Sequence, residues 1–134
     1  MDTRIDHAML IDDDEIDQRY YQRTLKRSGL VENIHAFTMA TEALDFLLQK
    51  KQRMDVIFLD INMPRMTGFE FLERATEELG DRFVDVVIIM LTTSIDPNDR
   101  DRAQTYDVVR EFLNKPLTIE HVKHVAQLLK EARG

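Results

Sequence analysis

The stretch Val86-Val87-Ile88-Ile89-Met90-Leu91 is apolar throughout, with none of the alternation that marks a strand showing one face to water. A strand of that pattern has to be covered on both sides, as an inner strand of a parallel sheet is when helices lie above and below it. Two shorter runs, Ala8-Met9-Leu10-Ile11 and Val56-Ile57-Phe58-Leu59, repeat the pattern. Helix-length segments separate the runs, and that alternation predicts an α/β domain with crossover helices.

A first strand is expected over about 7–12 and a helix over about 15–28, which Gly29 can end in the left-handed conformation. Asn33–Phe37 predicts a second strand. Thr38 is then the expected cap of a helix whose Ala40, Ala43, Leu44, Leu47 and Leu48 recur at three and four. The third strand is expected over about 55–60, followed by a loop with Pro64 and Gly68. Phe69, Leu72, Ala75 and Leu79 give the inward face of a third helix. After a fourth strand over about 85–91, Asp96-Pro97 reads as a cap followed by proline at the first helical position, with the helix lasting to about Tyr106. Arg110–Asn114 is the expected fifth strand. Thr118 caps a last helix with Val122, Val125, Ala126 and Leu129 on one side. The expectation is one domain over residues 1–134, with no repeat, no linker and no output domain left over.

Charge and composition narrow the partners. Lys plus Arg is 18 and Asp plus Glu is 25, for a net charge of −7. Such a chain gains nothing from nucleic-acid phosphates, so no nucleic acid is expected, and proteins with a basic face are better partners. No apolar run approaches the ~20 residues of a membrane span, and the start lacks the layout of a secretory leader. Without cysteine there is neither a disulfide framework nor a thiolate site, which fits an expected cytoplasmic location.

The residues at the ends of the apolar runs carry the chemistry. The first run leads into Asp12-Asp13-Asp14, the second into Asp60-Ile61-Asn62-Met63-Pro64, the third into Thr92, and a shorter fourth into Lys115-Pro116. Strand C-termini of a parallel sheet open onto one edge, so these segments converge on one pocket. A carboxylate attacking a phosphoryl group brings like charges together, at a cost of about 4 kcal/mol per pair at ~4 Å and an effective dielectric near 20. A hard divalent cation, Mg2+, bridging the oxygens removes most of that repulsion. Asp13 and Asp60 are its expected ligands, with Asp12 directly or through water and the backbone carbonyl of Asn62 completing the protein's share. Lys115 would pair with one phosphoryl oxygen and the Thr92 hydroxyl would donate to another. Asp60 is the expected nucleophile, forming an aspartyl phosphate.

These residues resemble the response-regulator receiver domain of two-component signalling, of the single-domain CheY-like kind. The likeness rests on Asp12-Asp13, on Asp60 in Leu59-Asp60-Ile61-Asn62-Met63-Pro64-Arg65-Met66-Thr67-Gly68, on Thr92 in Met90-Leu91-Thr92-Thr93-Ser94, and on Lys115 in Phe112-Leu113-Asn114-Lys115-Pro116. It spans nearly the whole chain. It implies a flavodoxin-like (βα)5 doubly wound parallel sheet in strand order 2-1-3-4-5. It also implies Mg2+-dependent phosphoryl transfer from a sensor histidine kinase or histidine phosphotransfer protein, switched binding of a downstream target, and no catalysis beyond the domain's own phosphorylation and dephosphorylation. By the same resemblance Thr92 moves toward the phosphoryl group, Phe112 changes its packing, and the Lys115-Pro116 bond is cis. Phe112 stands where the family often has tyrosine. Thr93, where the family often has alanine or glycine, borders phosphoryl access.

Two other functions fit part of the pattern. A contact-only pseudo-receiver usually lacks an acid, the threonine or the lysine, and this chain keeps them all. A haloacid-dehalogenase-like phosphatase would use Asp12-x-Asp14, but it leaves Asp60 without a task. Outside the pocket, Asp14, Glu15 and Asp17 read as capping and first-turn charge on a helix N-terminus. His121 and His124 read as a solvated face without a third metal ligand, and His7 and His35 as strand or edge residues. Met63 and Met66 suit partner contact or packing equally. The fourth helix, fifth strand and fifth helix, with Arg100, Gln104, Arg110 and His121, are the candidate partner or homodimer face.

Overall fold

The computed structural model describes residues 4–49, 53–83, 85–93 and 96–133. Its strands are β1 (Ile5–Ile11), β2 (Val31–Phe37), β3 (Val56–Asp60), β4 (Val87–Thr92) and β5 (Val109–Asn114). Its α-helices are α1 (Glu15–Ser28), α2 (Ala40–Gln49), α3 (Gly68–Leu79), α4 (Pro97–Ala103) and α5 (Ile119–Arg133). The strands pair in parallel in the order β2-β1-β3-β4-β5. This is the flavodoxin-like order, with β1 and β3 side by side where the chain reverses direction across the sheet.

Alternate residues of the inner strands feed two separate cores. Ala8, Leu10, Phe58, Ile89 and Leu91 pack with Tyr21 and Leu25 of α1 and with Val122 and Val125 of α5. Met9, Ile11, Ile57, Leu59, Ile88 and Met90 pack with Ala43 and Leu47 of α2 and with Phe69 and Leu72 of α3. Every residue of β3 and β4 is buried, as their unbroken apolar runs require. The edge strand β5 contains an irregularity. Ile88 stands opposite Val109 but Ile89 stands opposite Glu111, so Arg110 is an extra, unmatched residue.

Local chemistry sets most element ends. The Asp14 carboxylate accepts from the backbone N–H groups of Ile16 and Asp17, and Gly29 closes α1 at φ 69°. Thr67 and Glu70 form a reciprocal capping box at the start of α3. Asp96 caps α4 ahead of Pro97. Thr118 caps α5 by accepting from the His121 N–H, and its own N–H donates to His121 Nδ1.

Several boundaries differ from expectation. Both β1 and β2 begin two residues early, where Ile5 pairs with Val31 beyond the apolar stretches, and β4 begins at Val87. Because α2 starts at Ala40, its cap position falls on Met39 and not on Thr38. Helix α4 stops at Ala103, and Tyr106 instead follows it, packing on Phe69. A 3-10 turn over Gly80–Phe83 extends α3, which the apolar spacing did not signal.

Candidate functional site

Each functional side chain sits at or just beyond a strand end on one edge of the sheet. Asp12 follows β1, and its N–H donates to the Phe37 carbonyl at 3.1 Å. The buried Gln18 on α1 turns its amide under this corner, with Nε2 3.3 Å from Leu10 O, 3.0 Å from Asp12 O and 2.7 Å from Phe37 O. Asp60 is the last residue of β3. Gly68 lies so close behind it that a Cβ there would meet Asp60 O at 2.7 Å and Ile61 Cα at 3.1 Å. Thr92 ends β4, buried, one residue past the register partner of Asp60. Its carbonyl accepts from the Lys115 N–H at 2.8 Å, beside the cis Lys115-Pro116 bond.

Oxygens of Asp12, Asp13 and Asp60 lie within 4.8 Å of one another. Asp12 is fully buried and Asp60 is 6% exposed, while Asp13 faces solvent. The Lys115 ammonium reaches into the group, 2.8 Å from Asp12 Oδ2, 3.0 Å from Asp17 Oδ2 and 3.3 Å from Asp60 Oδ1. Burial works against the charge on Lys115, but its bonds to Asp12 and Asp17 outweigh that and raise its pKa, so it stays a cation. For Asp60, burial and then the Asp12 charge push the carboxyl up to about 7, against the pull of Lys115. Burial likewise raises Asp12, with Lys115 opposing. The Lys115 ammonium also lies 5.9 Å from the ring centre of the buried Tyr21. Burial and the Asp17 charge move the Tyr21 hydroxyl up to about 12, so it remains neutral.

This donor set fits a hard divalent cation. The candidate ligands are carboxylate oxygens in one cluster, two of the three acids are buried, and their mutual repulsion is relieved by added positive charge. Asp12, Asp13, Asp60 and Lys115 are thus drawn together as anticipated. Asn62 lies exposed two residues past Asp60, Thr93 is exposed beside Thr92, and Phe112 is half-buried opposite Met90. Ser94 lies outside the described residues.

Two further side chains, Asp17 and Gln18, take roles that the sequence alone does not assign to them. Asp17 is no mere first-turn charge, because it binds Lys115. No local signal marks it, because acids are favoured at any helix start. Gln18 was also missed. Met63 and Met66 pack into the α2–α3 core, and His121 belongs to the α5 cap. His7 Nδ1 and His35 Nε2 approach to 3.1 Å across β1 and β2, and His124 pairs with Glu111.

Comparison with known proteins gives a consistent result. The residue pattern described as the response regulator receiver domain matches residues 8–127. The two-component response regulator ARR10 of Arabidopsis thaliana is 29% identical over 120 residues, covering 90% of this chain but only 20% of its own length. A two-component response regulator from Cytophaga hutchinsonii superposes with a TM-score of 0.88 at 27% identity, covering 96% of this chain and 98% of its own. The chemotaxis protein CheY4 of Vibrio cholerae gives 0.78 at 27% identity, covering 93% and 98%.

Proposed function

The chain belongs to the response regulator receiver family, and from that premise we propose that it is a regulator phosphorylated on Asp60 in a Mg2+-dependent reaction. The carrying observation is one buried carboxylate, Asp60, clustered with Asp12 and Asp13 and contacted by an ammonium at 3.3 Å. A sensor histidine kinase or a histidine phosphotransfer protein supplies the phosphoryl group. The domain is cytoplasmic, engages a downstream protein target and binds no nucleic acid. Among the described residues no helix is long and apolar enough to cross a membrane.

An Asp60 oxygen attacks phosphorus in line with the leaving group, the new O–P bond forms, and the bond to the donor's nitrogen or oxygen breaks with its electron pair. Asp12, Asp13, Asp60 and the Asn62 carbonyl hold the Mg2+, which when bound supplies the charge neutralisation that two anions need in order to meet. Lys115 donates to one phosphoryl oxygen and the Thr92 hydroxyl to another. Phe112, packed beside β4, couples Thr92 to the face formed by α4, β5 and α5, where a partner or a second copy binds. Thr93, at the exposed rim, tunes access of water.

The phosphatase alternative needs Asp14 as acid or base. Its carboxylate is instead committed to the backbone of Ile16 and Asp17 as the α1 cap. Against a contact-only module, the acids and lysine are all present and clustered. Intact-protein mass after incubation with acetyl phosphate and Mg2+ tests the proposal. One phosphoryl adduct is expected, absent without metal and absent in Asp60→Asn. An adduct that survives Asp60→Asn, or none in the wild type, refutes it.

A further inference from the structure

Lys115 carries three N–H donors, and three carboxylates surround it: Asp12 at 2.8 Å, Asp17 at 3.0 Å and Asp60 at 3.3 Å. Its hydrogen bonds go to Asp12 and Asp17, so a phosphoryl oxygen drawing this ammonium toward itself competes with them. The partners differ in what release costs. The Asp12 side chain is 1% exposed, so stripping it of its cation leaves a dry carboxylate. Asp60 is the residue that receives the phosphoryl group and stays beside it. The Asp17 side chain is 31% exposed and sits on the first turn of α1, where water can replace the lost bond.

We infer that Asp17 is a positioning residue that restrains Lys115 in the resting protein and is the contact surrendered when the phosphoryl group arrives. This rests on the phosphorylation proposed above and adds a residue to it. Asp17 competes for the same ammonium, so its presence lowers phosphoryl affinity. A partly exposed ion pair of this kind is worth up to about 1 kcal/mol, which corresponds to about a fivefold effect.

The test uses beryllium trifluoride with Mg2+ as a tetrahedral phosphoryl mimic on the full chain. Asp17→Asn is expected to bind the mimic about fivefold more tightly than wild type, with the melting temperature confirming that it folds. In a Lys115→Ala background the same substitution should change affinity little. Without metal or mimic, the Lys115 ammonium proton resonance should exchange faster with water in Asp17→Asn. Unchanged or weaker mimic binding by Asp17→Asn overturns the inference, the latter making Asp17 an anchor. An equal gain with Lys115 removed overturns it as well, since the effect would then be general charge relief. If the wild type binds no mimic and takes no phosphoryl group, it is the phosphorylation reading that fails.

Discussion

Asp60 is placed where ionising it opposes folding. Its carboxyl moves from an ordinary 3.8 in the open chain to about 7 in the folded one, because of burial and then the Asp12 charge. Between those values the folded state keeps a proton that the unfolded state has released. Stability therefore falls as pH rises from about 4 to about 7 and is flat above, at about 1.4 kcal/mol per unit. From pH 5 to pH 8 the metal-free protein should lose about 2–3 kcal/mol from this residue alone. Asparagine has nearly the same shape and no proton to exchange. Asp60→Asn should consequently be more stable than wild type at pH 8, with the difference shrinking by about 2–3 kcal/mol at pH 5. Urea unfolding of both proteins in EDTA across that range measures it. A gap that does not change with pH, or a wild type more stable at pH 8, would refute the placement of Asp60 in a repulsive buried cluster.

The same geometry sets other outcomes. Lys115→Ala leaves the buried Asp12 without its cation and should cost about 3 kcal/mol in metal-free urea unfolding at pH 8, and less at pH 5, where the neighbouring Asp60 is protonated. Mg2+ at a hundredfold excess over its dissociation constant should stabilise wild type by about 2.7 kcal/mol. In Asp13→Asn most of that gain should vanish in a thermal-shift titration, and a full gain there would remove Asp13 from the metal set. Gly68→Ala drives a Cβ into the Asp60 carbonyl and should cost about 1–3 kcal/mol. It should also slow phosphorylation by displacing Asp60, and an unchanged melting temperature and phosphorylation rate would contradict the close approach.

The parts of this molecule that were readable in the sequence are those fixed by local pattern. Unbroken apolar runs give inner strands, so β3 and β4 could be found and their polar terminal residues assigned to one edge. Caps with a side-chain oxygen beside the helix start, such as Asp14 and Asp96, were equally legible. Illegible features depend on distant partners or on a single displaced residue. The first turn of a helix favours acids regardless of partner, so nothing local separates Asp17 from an ordinary dipole charge. Its bond to Lys115 spans 98 positions. Val31 and Glu32 extend β2 only because β1 offers a ladder beside them, and Ile5 pairs there. Met63 and Met66 suit partner contact and packing equally in sequence, because their loop is polar around them, and only their distant neighbours on α2 and α3 decide for packing.

The unmatched Arg110 has a meaning for how the strand can be edited. Side chains along a strand alternate like a two-beat rhythm, and counting from Val109 would send Phe112 toward α1 and α5. The extra residue inserts a half-beat, so Val109 and Phe112 both join the α2–α3 core and Leu113 the other. Pressing the extra residue flat into the ladder would act on the fold as a frameshift acts on a gene, sending everything from Glu111 to Asn114 to the opposite side. Deleting Arg110 outright would not, because Phe112 would then stand two steps from Val109, still opposite Met90 and still on the α2–α3 side.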